Sequence, residues 1–176
     1  WGHELDDDLM NYTVSGPIGS TCSMALTREL VSGIRFDNGL RTAGEDGLFA
    51  TRLAAKRPRV FLSQRVDVDL GEGVNIFSSD NWNSRAGLMR DIYFLRSRLL
   101  MRPLAASFPT ARERLEDKLQ AARRNVLRSF LSGLKHGQFP AGELFSLLRL
   151  DPALLTTSPV LIYEILSQRK TGSTNA

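Results

Sequence analysis

Apolar positions follow two regimes along the chain. Up to about residue 79 they come in short groups between glycine-rich turns; from residue 80 to 170 they recur every three or four residues, the spacing of helices buried on one face. In the second regime Leu88, Ile92, Leu95 and Leu99 predict a helix over 83–101, with Asp91, Arg98 and Arg102 on another face and Pro103 as its stop. Thr110, with Glu113 at capping-box spacing, predicts the start of a long helix. Its apolar face is Ala111, Leu115, Leu119, Ala122, Val126, Phe130 and Leu134, and Gly137 ends it. Two shorter helices are expected over 141–148 and 160–168, followed by a polar tail. These stripes are read as ordinary core packing.

The first regime predicts shorter elements. A loop over 16–21 leads to a helix over 24–31 that ends near Gly33, and Phe36-Asp37-Asn38-Gly39 is a turn signal. A second helix is expected over 45–56, with Leu48, Phe49 and Leu53 on one face and Pro58 beyond its end. Residues 60–70 read as extended, because Val66, Val68 and Leu70 alternate with Asp67 and Asp69. The expected organisation is an α/β region over 1–79 and a basic helical region over 80–176.

Composition narrows the classes. No stretch approaches the ~18 apolar residues of a membrane span, and the acidic start carries no secretory signal. A first residue that is Trp1 and not methionine is expected of a processed, trimmed or partial chain. The one cysteine, Cys22, forms no internal disulfide, and a cytoplasmic address fits. His3 and His136 lack neighbours at zinc-motif spacing and are expected to be exposed side chains. Charge is uneven: residues 85–135 hold twelve basic residues against Asp91, Glu113, Glu116 and Asp117. Such clustering favours an anionic partner or surface. Arginines outnumber lysines nineteen to four, a ratio that often accompanies a GC-rich bacterial genome.

The segment that carries candidate chemistry runs from Cys22 to Leu53. Taken alone, Glu45-Asp46 at a helix start reads as complementation of the helix dipole. Around the pair, however, Thr27-Arg28 sits on the first short helix, and Gly33-Ile34-Arg35-Phe36-Asp37 forms a turn. Gly44-Glu45-Asp46 then opens a helix, and Arg52 follows six residues after the aspartate. In order and spacing this resembles the family 2 glycosyltransferases of the GT-A (Rossmann-like) fold, over roughly residues 15–79. The resemblance implies the acceptor-side, C-terminal half of such a domain, followed by a helical extension. It implies an inverting transfer of a sugar from a nucleotide-sugar donor to a glycan or lipid-linked acceptor in bacterial exopolysaccharide or surface-polysaccharide synthesis.

By the same resemblance Asp46 is the catalytic base, and Glu45 orients the loop or touches the acceptor. A base must take the acceptor hydroxyl's proton as it attacks the anomeric carbon, and a short side chain on a helix start is rigidly aimed. Arg52 is open between an acceptor contact and a structural ion pair. Asn81 and Trp82 lie where relatives face the acceptor, Trp82 by stacking on the sugar or, equally, by anchoring the next helix.

The family's donor half ends in an Asp-x-Asp motif that holds a divalent metal, Mn or Mg, on the diphosphate. Asp6-Asp7-Asp8 imitates it but lies only about forty residues before Asp46, with no βαβ unit upstream. The metal and the donor half are therefore expected outside this chain, and the chain alone is expected to be inactive. Gln120-Ala121-Ala122-Arg123-Arg124 lacks the tryptophan of the processive members' motif and reads as coincidence. The basic helices are expected near an anionic membrane surface, at the inner face of a cytoplasmic membrane. The alternative is a basic helical module that binds nucleic acid or serves a structural role; no zinc finger or helix-turn-helix pattern supports nucleic acid.

Overall fold

The computed structural model describes residues 2–5, 8–15, 24–40, 43–63, 85–135, 137, 141–156, 159–160 and 163. Its elements are β1 (Gly2–Glu4), α1 (Leu9–Ser15), α2 (Arg28–Val31), α3 (Glu45–Ala54), β2 (Phe61–Ser63), α4 (Arg85–Ala105), α5 (Pro109–Lys135) and α6 (Ala141–Leu150). Helices dominate. Among the described residues the β component is one antiparallel pair, β1 with β2, in the register Gly2↔Ser63, His3↔Leu62, Glu4↔Phe61. That pair is extended by Leu5 N–H donating to the Val60 carbonyl at 2.8 Å. Arg59 grips Glu4 through two hydrogen bonds at 2.8 and 3.0 Å. The bonds hold the Glu4 carboxyl below the usual carboxylate range. The expected α/β character is thus present only as this small sheet, without a parallel pair among the described residues.

Two elements lie where the sequence pattern places none. Strand β1 has only three residues and no alternation to betray it. Helix α1 does carry a signal: Asp8 Oδ1 accepts from Met10 N–H at 3.0 Å, an N-cap, and Met10 and Val14 follow at helical spacing. The third residue of the acidic triplet is therefore a helix cap; Asp6 and Asp7 lie outside the described residues.

Where it is described, the helical region agrees with the pattern, with two corrections; most of the helix expected over 160–168 lies outside the described residues. Pro103 does not stop α4, which runs to Ala105. Pro103 is exposed in the last turn, where the cost of the missing N–H is confined to the helix end. Nor does Thr110 cap α5. The helix begins at Pro109, whose fixed φ and missing N–H suit the first helical position, and the Phe108 carbonyl accepts from Arg112 N–H at 2.8 Å. Gly137, at φ 70°, follows the helix end as expected.

One core draws on α1, α3, α4, α5 and α6: Met10, Leu48, Leu88, Leu95, Leu115, Leu119, Leu147 and Leu154 all lie within it. The α5 stripe is buried through Val126 and fades at Leu134, which is 48% exposed. Helix α4 touches α1, α3, α5 and α6, so its polar face is also largely enclosed. Asp91 is buried and accepts a short hydrogen bond from Ser129 of α5. Burial pushes the Arg98 guanidinium below its usual range, opposed by the nearby Asp91 charge. Arg102, on the same face, reaches solvent and pairs with Glu116 at 2.7 Å.

The most enclosed of the described ion pairs joins α5 to the end of α6. Arg123 Nε and Nη2 donate to Asp151 at 2.7 and 2.9 Å, with both side chains about 5% exposed. Asp151→Ala strands a buried guanidinium and is expected to lower stability by about 3–5 kcal/mol. The double replacement Arg123→Met with Asp151→Leu is expected to be near neutral. Urea unfolding of the three proteins checks this; equal losses in the single and double variants would contradict it.

Candidate functional site

Every piece of the 27–54 segment that carries the resemblance has a structural position. Thr27 caps α2, its hydroxyl accepting from Leu30 N–H at 3.3 Å, and Arg28 is exposed on that short helix. Gly33, at φ 77°, turns the chain back. Ile34 then packs with Phe49 and Leu53 of α3 in a second small core, and Phe36 stacks on Phe49 with centroids 4.4 Å apart. Asp37 Oδ1 accepts from Gly39 N–H at 2.9 Å and closes the expected turn. Its other oxygen pairs with Arg52 at 3.1 Å. Arg52 also donates to the Arg35 carbonyl at 2.6 Å. Lys56 caps the end of α2 through the Leu30 and Ser32 carbonyls at 2.7 and 3.0 Å. Of the two roles left open for Arg52, the ion pair is the one formed here.

The start of α3 is fixed against α4. Gly44 is the N-cap, at φ 86°, a conformation glycine adopts without a steric penalty. The Ser97 hydroxyl donates to its carbonyl at 2.7 Å. A Cβ at Gly44 would stand 2.7 Å from the Ser97 Cβ, so the backbone approaches α4 as only glycine permits. Gly47 is similarly close to the Met101 terminal methyl, and Gly39 lies under the Arg96 guanidinium. Turn, N-cap and helix are thus three successive attachments to one helix. Ser97 is a part of this arrangement that the sequence reading missed. A lone serine within an amphipathic helix gives no cue to a distant carbonyl partner.

The carboxylates on the first turn of α3 differ in environment. Asp46 is exposed to solvent, whereas Glu45 is half-buried. The Glu45 Oε2 is fully enclosed and meets no hydrogen-bond partner among the described residues. Gly44 has no side chain to cap the helix, so the first-turn N–H groups face these carboxylates' end of α3. Asn81 and Trp82 lie outside the described residues, so their acceptor role stays an expectation.

Other candidates do not join this site. Arg123 is buried against Asp151, which gives the Gln120–Arg124 pattern a structural explanation. Among the described residues no group of three His, Cys, Asp or Glu side chains could hold a metal ion. A shallow groove along the first turns of α5, lined by Arg102, Arg112, Glu113, Glu116 and Asp117 among others, mixes both signs of charge and includes no residue of α3. No described helix is long and apolar enough to cross a membrane. Comparison with protein families, curated proteins and solved structures gives no match to this chain.

The Gly44–Ser97 contact makes a measurable claim. Gly44→Ala is expected to cost about 2 kcal/mol or more, from a left-handed alanine and from overpacking. Adding Ser97→Gly removes the clash but not the backbone strain, so the two changes should couple favourably in a thermal-unfolding double-mutant cycle. Strict additivity would mean that the backbones do not approach as closely as described.

Proposed function

We propose that this chain is the acceptor-side part of an inverting glycosyltransferase, with Asp46 as the base that deprotonates the attacking hydroxyl. The observation that carries the reading is the placement of Asp46, a solvent-exposed carboxylate on the first turn of a helix whose start is fixed by Gly44 and Ser97. A base needs that combination of access and rigidity. Glu45, with one enclosed oxygen, is a positioning group in this scheme.

The donor would be a nucleotide-sugar and the acceptor a glycan or lipid-linked saccharide of bacterial exopolysaccharide or surface-polysaccharide synthesis. Donor diphosphate and any Mn or Mg would be held by residues outside this chain, and no step is assigned to a metal here. A lipid-linked acceptor would place the protein at a membrane face. Nucleic acid is a poorer partner: Arg90 and Arg123 are buried, Arg102 is paired, and Glu113 and Asp117 interrupt the exposed basic residues of α5.

Two measurements test the reading. Residues 1–176 alone should neither hydrolyse nor saturably bind a panel of nucleotide-sugars, and metal-dependent micromolar binding would contradict that part. In the natural gene product, Asp46→Asn should lower transfer by about 10²–10⁴-fold while the melting temperature holds. Glu45→Gln should be milder in turnover. An Asp46→Asn protein with near-normal turnover but lowered melting temperature would leave the carboxylate a purely structural, dipole-complementing role.

A further inference from the structure

We draw no further inference here: the strongest candidate, the stretch of exposed apolar side chains that Phe145 and Leu150 on α6 begin and Leu155, Val160 and Tyr163 continue, carries nothing because nothing in the structure shows what covers it.

Discussion

Helix α4 packs against α1, α3, α5 and α6, so the polar side chains it buries have to find their partners inside the protein. Asp91 finds Ser129, Ser97 finds the Gly44 carbonyl, and Arg96 lies over Gly39. Arg98 spreads its guanidinium over the Phe94 ring, at 5.8 Å from the centroid, and burial lowers its pKa from the usual arginine range. Each such group is destabilising if left alone and orienting once paired. The enclosure of α4 therefore sets both the α4–α5 register, through Asp91–Ser129 and Arg102–Glu116, and the place where α3 begins.

The consequence for the segment around Asp46 is a division of labour. Turn, aromatic stack and ion pair are all consumed in attaching residues 33–39 to α3, and Arg57 continues the theme past the helix end. It takes a left-handed φ of 51°, unusual for a side chain with a Cβ, and its guanidinium sits 4.6 Å from the Phe108 ring centroid. Asp46 keeps its side chain open to solvent on the first turn of α3. A motif whose spacing follows from packing is weaker testimony to chemistry than its number of matching positions implies. The weight then falls on that one accessible carboxylate and on the rigidity delivered to it.

The elements legible in the sequence are those with long periodicity. Helix α5 can be read from Ala111 to Val126 because each apolar residue faces the core, and α3 from Leu48, Phe49 and Leu53. Legibility falls where one residue's role depends on another far away. Pro103 reads as a stop until the exposure of the last turn is known, and Thr110 reads as a cap until Pro109 claims the first position. The strand Gly2-His3-Glu4 exists because Phe61 and its neighbours pair with it across almost sixty residues. The Arg52–Asp37 pair is one of two roles the sequence permits for Arg52, and it becomes visible only in three dimensions. Ser97 and the enclosed Glu45 oxygen have no one-dimensional signature.

Charge illustrates the same limit most sharply. Twelve basic residues in one stretch suggest a cationic surface, but folding disperses them. Arg90 and Arg123 go inside, Arg102 is paired across two helices, and Arg114 reaches Ser15 at 3.3 Å. On the first turns of α5, Arg112, Arg114 and Lys118 alternate with Glu113 and Asp117, within a Debye length of ~8–10 Å, so their fields partly cancel, while Arg124 and Arg128 are exposed further along. At the end of α6 folding removes the carboxylate of Asp151 from the surface by pairing it with Arg123. A surface field follows from which charges are left after pairing, and the count of basic residues along the chain does not give that remainder.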